Sequence, residues 1–317
     1  MIRTMTSLLT ASCAACLLAT GCIPQDSAPA DLDKAIPTSD QVSIKLPASA
    51  SKRVADPTVG QIATFYLETR AVTLTFNGAS AWVLVLIHSI VQYPVTSVSG
   101  NTYTWGPWSG SALDPAQYKL DVTANADGTY DYTLSGHNKQ DTSGNFIAII
   151  DGHADPRPGD NMGNGTFHFD FDASKTVDPI DNPTAKGDVD VTYDLAAMHL
   201  ELGINSSTSD GTPLVGMYEY DQAADGGGDM TFDISANIGG TSAAEDMTLR
   251  SRWKGTGAGR GDARIAGGDL GSQQALASEC WDTAFDRVYY TDNVNFNPTE
   301  GDPAQCAYSD QDLPPVD

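Results

Sequence analysis

Basic residues are scarce in this chain. Lys and Arg number 17 against 41 Asp and Glu, which gives a formal net charge of −24. A surface of that sign repels nucleic acid and anionic lipid headgroups, so nucleic-acid binding is set aside. It suits solubility, salt tolerance or divalent cations, and it is silent on fold. Signatures of catalysis are also missing. No serine sits in a Gly-x-Ser-x-Gly elbow, no Gly-rich loop follows a strand as a phosphate binder requires, and no EF-hand spacing closes on Glu. An enzyme is therefore supported by no motif, although a triad built from distant residues stays open. Long apolar runs are confined to the N-terminus and to 79–93, and the second is too short and too interrupted by His88 and Ser89 to span a bilayer.

What the N-terminus does contain is an export pattern. Residues 1–21 read as a signal peptide, with Arg3 as a minimal basic region and Leu8 to Leu18 as the apolar core. The end, Leu18-Ala19-Thr20-Gly21-Cys22, resembles the bacterial lipobox, which implies cleavage before Cys22 and a lipid anchor on it. The alternative is an ordinary secretory signal followed by an incidental cysteine. Two or three acyl chains would hold the protein stably at a membrane. Ile23 after the cysteine resembles outer-membrane sorting. Residues 22–56 are rich in Pro, Ser, Ala and Asp without hydrophobic periodicity, and read as a lipid-anchored flexible tether. With Cys13 and Cys16 in the signal and Cys22 acylated, only Cys280 and Cys306 are left. An even pair in an oxidising compartment predicts one disulfide, two free buried thiols being the alternative.

A single β-rich domain is expected over 57–290, organised around the apolar stretch 79–93. Asn77-Gly78 before that stretch and Pro94 after it predict helix boundaries. A second helical pattern over Thr58 to Phe76 gives a helical segment broken at Asn77-Gly78. A strand reading of Trp82 to Ile87 competes, since short apolar runs are ambiguous. Beyond Pro94 the pattern alternates with period two, as in Tyr130/Tyr132/Leu134 against Asp131/Thr133, with a hairpin signal at Asn125-Ala126-Asp127-Gly128. These runs predict a long curved antiparallel meander of about ten to twelve strands, a half-barrel or closed barrel, apolar on one face. The helical segment would cover that face through Trp82, Leu86 and Ile90, spaced by four on one stripe. Ala275 to Tyr290 reads as a short helical or irregular unit, and 291–317 as a loose acidic tail clipped by the disulfide.

Thr104-Trp105-Gly106-Pro107-Trp108, Ser251-Arg252-Trp253-Lys254-Gly255-Thr256-Gly257-Ala258-Gly259-Arg260 and Ser278-Glu279-Cys280-Trp281-Asp282 resemble motifs of uncharacterised exported lipoproteins of myxobacteria. That resemblance covers most of the chain from about residue 58. It implies no activity. In outline alone, a helix over a long curved sheet is similar to periplasmic lipoprotein carriers of the LolA/LolB type, and outline does not fix function.

Three constellations invite chemistry. His153 with Asp155 and His168 with Asp170 and Asp172 share strand faces, so imidazole and carboxylate would converge if the strands pair, with Zn²⁺-like ligation. The oxygen-rich loops 155–165 and 221–229 invite Ca²⁺ but lack EF-hand spacing, and read as hairpin loops. No cofactor is expected, with Ca²⁺ and Zn²⁺ left open. Arg250, Arg252 and Lys254 share one strand face, followed by Arg260 and Arg264, which puts five of the 17 basic residues in one short run. Internal pairing with neighbouring Asp is the plain reading of that run; contact with an acidic partner or anionic ligand is the sharper one. The leading expectation for function is a lipid-anchored envelope protein that binds a lipid or other apolar ligand between helix and sheet. A structural or protein-interaction lipoprotein with a packed core, and a metal-dependent hydrolase, are the alternatives.

Overall fold

The computed structural model describes residues 59–314 apart from 160–161, 185, 208–212, 238–242 and 296–298, together with 32, 38 and 45–46. The side chains of 75–85 and His88 are not described. The signal peptide, Cys22, most of the tether and the side chain of Trp82 thus lie outside the described residues.

The chain is mainly antiparallel β. The helix α1 (Thr64–Val91) is followed by β1 (Ser97–Ser99), β2 (Thr102–Trp108), β3 (Ala116–Ala124), β4 (Tyr130–Asn138), β5 (Ile147–Asp155) and β6 (Asn164–Asp170). A short α2 (Phe171–Val177) leads to β7 (Asp188–Asp194), β8 (His199–Ser207), β9 (Pro213–Gln222), β10 (Gly228–Ala236), β11 (Glu245–Trp253) and β12 (Gly259–Gly267). The sequence closes with β13 (Gln274–Trp281), β14 (Arg287–Asp292) and β15 (Thr299–Gly301). The strands form one sheet in strict sequence order, so the meander expected from period two is present. It has 15 strands rather than ten to twelve, and it is open. Its edges β1 and β15 are only three residues each, which limits the unpaired backbone offered to other chains.

Three hairpins share one turn. Asn125, Ala223 and Lys254 each donate their N–H to the carbonyl four residues on, and a glycine at the fourth position returns its N–H. Those glycines, Gly128, Gly226 and Gly257, have φ of 89°, 85° and 99°, which a side chain would strain. The oxygen-rich stretch 221–229 is the second of these turns.

α1 corrects the expectation of a broken segment. It runs 28 residues without interruption through Asn77-Gly78 and ends before Pro94. A helical glycine costs about 1 kcal/mol, which packing along a long helix outweighs. Two compact units divide the chain, one holding 84–190 and the other 59–83 with 191–314 among the described residues.

In the first unit the buried face carries Leu120, Val122, Tyr132, Leu134, Ile150 and Phe167, with Ile87 and Ile90 of α1 also buried and Leu86 half-buried. Trp105 is buried and donates Nε1–H to the Tyr93 carbonyl at 2.8 Å, tying β2 to the end of α1. In the second unit α1 seats directly on the sheet. Thr69 Oγ1 lies 2.5 Å from Ser251 Oγ on β11. Gly261 on β12 faces Phe65, where a Cβ would meet the Phe65 Cβ at 2.9 Å. Trp253 and Trp281 lie over Gly228 and Gly259, their cross-strand partners, where a Cβ would come within 2.3 and 2.4 Å of the indoles.

The stretch read as helical or irregular, Ala275 to Tyr290, is instead strand β13, a turn and the start of β14. Its alternation serves both faces. Glu279 and Trp281 point to the helix side, where Glu279 accepts from the amides of Thr64 and Phe65 and from Arg287. Trp281 packs against Tyr66, ring centroids 6.0 Å apart. Ser278 and Cys280 point outward, the first to Asp262 and the second to Cys306. α1 has no acidic residue in its own first turn, so β13 supplies the anion its positive end favours.

Candidate functional site

The outer face of the second unit holds the densest charge. Antiparallel register sets Arg252 opposite Arg260, and Arg250 opposite Asp262. Two guanidinium groups face to face repel unless a carboxylate lies between them. Asp262 is that carboxylate: fully buried, it accepts from Arg260 Nε at 2.8 Å, Arg252 Nη2 at 3.3 Å and Ser278 Oγ at 2.7 Å. Arg250 forks onto Asp229 of β10 with Nε and Nη2 at 3.0 and 2.7 Å. The plain reading of the basic run, pairing with neighbouring Asp, thus describes Arg250, Arg252 and Arg260.

The remaining donors reach a segment that sequence left as a loose tail. The Cys280–Cys306 bond, with Cα atoms 5.3 Å apart, brings the chain back onto this face. From there 308–314 cross the arginines. Arg260 Nη1 donates to the carbonyls of Tyr308 and Ser309 at 3.3 and 3.1 Å, Arg252 Nη2 to that of Asp310 at 2.7 Å, and Arg264 Nη1 to that of Pro314 at 2.5 Å. The Asp312 carboxylate takes Arg250 Nη1 at 2.8 Å and Arg252 Nη1 at 3.3 Å, while its amide donates to Asp262 at 3.4 Å. The Tyr308 ring lies under two cations, Lys254 Nζ at 4.2 Å and the Arg252 guanidinium at 4.9 Å. All five basic residues singled out in the sequence are brought together, around a strip of the chain itself. That strip was illegible because Pro- and Asp-rich sequence has no periodicity.

The histidine–aspartate grouping read from the sequence takes another form. β5 and β6 do pair, but His153 and His168 each find a carboxylate elsewhere. His153 Nδ1 lies 2.7 Å from Asp131, His168 Nδ1 2.8 Å from Asp190, and His199 Nδ1 2.8 Å from Asp221. All three partners are 22 residues away on the neighbouring strand, and only register could have found them. Asp155 is taken by the Arg157 fork at 2.7 and 2.6 Å, and Asp170 caps α2 by accepting from the Ala173 amide at 2.8 Å. Asp172 lies in α2 and accepts from the Gly187 amide. Two groups gather three donors each, His168/Asp188/Asp190 and His199/Glu219/Asp221, with ligand atoms within 4.8 Å of one another. Hydrogen bonding to His153, then to Asn125, lowers the Asp131 carboxyl. Partial burial alone would lower the His168 imidazole, but the hydrogen bond and charge of Asp190, with Asp151 and Asp188, raise it.

In the first unit a cleft of about 340 Å³ is lined by Gly136, His137, Asn138, Ile147, Thr176 and Val177. Its His137 Nδ1 is already bonded to the Asn145 carbonyl at 3.0 Å.

No protein-family model, curated protein or solved structure matches this chain.

Proposed function

We propose that the protein is a lipid-anchored interaction protein of the cell envelope, tethered through Cys22 and acting through the outer face of its second unit. The observation that carries this reading is the contrast between that unit's two faces. On the helix side, Phe65 and Thr69 touch the sheet itself, which fills the space there with protein. On the outer side, five of 17 basic residues converge in an otherwise acidic chain. Three of them are paired with Asp229, Asp262 and Asp312 of the chain itself, and an acidic partner would meet the cluster in exchange for the exposed Asp312. The lipobox-like end at Cys22 and the Pro-, Ser-, Ala- and Asp-rich composition of 22–56 support anchoring, with Ile23 favouring the outer membrane. Among the described residues no helix is long and apolar enough to cross a membrane.

The apolar-ligand alternative draws on Trp82, Leu86 and Ile90, of which Ile90 is buried, Leu86 half-buried and the side chain of Trp82 outside the described residues. The metal-dependent hydrolase alternative draws on the two histidine–carboxylate groups, whose exposed acids also serve as cross-strand partners. Solvent extraction of natively purified protein followed by mass spectrometry separates the first alternative from the interaction reading. No stoichiometric apolar molecule beyond the acyl anchor is expected; one released only on unfolding would overturn the packed-core reading. A Cys22→Ala variant should move from the detergent phase to the aqueous phase. Unchanged partitioning would place the anchor elsewhere.

A further inference from the structure

We infer that the outer face of β11 and β12 is a groove for an extended acidic polypeptide segment of another protein, and that residues 308–314 occupy it as an internal stand-in. The inference rests on the interaction reading above and narrows it to a partner chemistry.

The contacts define what the groove accepts. Four of them run from arginine N–H groups to main-chain carbonyls, those of Tyr308, Ser309, Asp310 and Pro314. Carbonyls are present in any extended chain, so these contacts fix direction and depth without reading sequence. Side-chain reading is limited to two positions. An aromatic ring fits between Lys254 and Arg252, and a carboxylate four residues later fits between Arg250 and Arg252. The fitting segment is therefore aromatic-x-x-x-acidic, in extended form.

The stand-in is exchangeable. Residues 308–314 form no strand pairing with the sheet, and 309–312 are exposed. Exposed ion pairs of the Asp312 kind are individually weak. Proximity strengthens its contacts, since the Cys280–Cys306 bond holds its start two residues from Tyr308. The groove is also incompletely satisfied by it, because Arg252 Nε is buried without an acceptor. An incoming chain that supplies a better-placed carboxylate gains that bond. Elsewhere the −24 surface repels such a chain, which leaves this groove as its favoured landing place.

The test uses a fluorescein-labelled peptide, Ala-Tyr-Ser-Asp-Gln-Asp-Leu-Pro, with the whole chain in mild detergent and fluorescence anisotropy as the readout. Wild type should bind it weakly, because the stand-in competes. A Tyr308→Ala/Asp312→Asn variant should bind at least about tenfold more tightly, as removal of an effective local concentration predicts. That gain should vanish in high salt and with a peptide carrying Ala for Tyr and Asn for Asp. Arg250→Gln in the same background should weaken binding while leaving the melting temperature close to that of its parent, which guards against simple unfolding. A folded tail variant that binds no better than wild type, or binds the neutral peptide equally, overturns the inference. If that happens while a partner still crosslinks to this face, the interaction reading stands and only the groove falls. A wild-type dimer that the tail variant lacks would make the occupant a second copy of this chain, and would overturn the assignment to a different protein.

Discussion

The carboxylate of Glu279 accepts from the guanidinium of Arg287, eight residues on, and both side chains are buried. The same carboxylate accepts from the amides of Thr64 and Phe65, more than 200 residues away in sequence. One acidic group thus joins β13, β14 and the start of α1. A buried pair of this kind is costly to break because the surviving charge stays desolvated. Glu279→Gln should destabilise the protein by about 3–5 kcal/mol in urea unfolding. In Glu279→Gln/Arg287→Met the loss should be smaller than the two single losses added. Strict additivity would mean that the two side chains act separately.

Gly261 and Gly203 make a matched pair of opposite sign. A Cβ on Gly261 meets Phe65 at 2.9 Å, whereas one on Gly203 meets nothing within 4 Å. Gly261→Ala should cost about 1–3 kcal/mol through overpacking. Gly203→Ala should gain about 0.4–1 kcal/mol by restricting the unfolded chain. Equal effects in chemical unfolding would contradict seating of α1 on β12.

The disulfide closes a loop with a sequence separation of 26, spanning β14 and β15. Reduction, or Cys306→Ser, should lower stability by about 3–4 kcal/mol in the chain-entropy model. It should also speed amide exchange in 307–314, since the segment loses its near attachment. An unchanged urea midpoint would show that the loop is held without the bond.

His168 provides a pH test. Its imidazole is raised above the ordinary value, so the protonated form favours the folded state. That contribution is complete below the unfolded value of about 6.5 and fades as pH rises through the higher folded one. The melting-temperature advantage of wild type over His168→Gln should therefore be largest near about pH 5–6 and shrink toward alkaline pH. An advantage that grows with pH would mean the Asp190 contact does not favour the charged imidazole.

Much of the sheet could be read from the chain, because each strand's alternation reports which face is buried. Tyr130, Tyr132 and Leu134 are buried as the pattern requires. β13 escaped because a charge, Glu279, sits at a buried position, and only the distant helix start makes it tolerable there. The unbroken α1 escaped because Asn77-Gly78 carries a strong local stop signal that packing overrides. At the outer face, the five cations were legible as one patch, since period two puts Arg250 and Arg252 together. Their occupant was not, because the contacts bridge 48 to 62 residues (312 − 250) with no pattern in the segment itself. The histidine partners were hidden for the same reason: a cross-strand pair is defined by register, which sequence spacing does not state.

The outer face of the second unit is expected to meet a partner in the envelope. That expectation is tested most directly by a photo-crosslinking amino acid placed one site at a time in the anchored protein within intact cells. Lys254 and Thr256 border the arginine groove, while the exposed Leu113 and Ile180 lie in the first unit. A discrete adduct is expected from Lys254 and Thr256 that disappears when Arg250→Gln is added, and none from Leu113 or Ile180. Adducts from the first-unit sites alone, or adducts from all four that ignore Arg250→Gln, would contradict it.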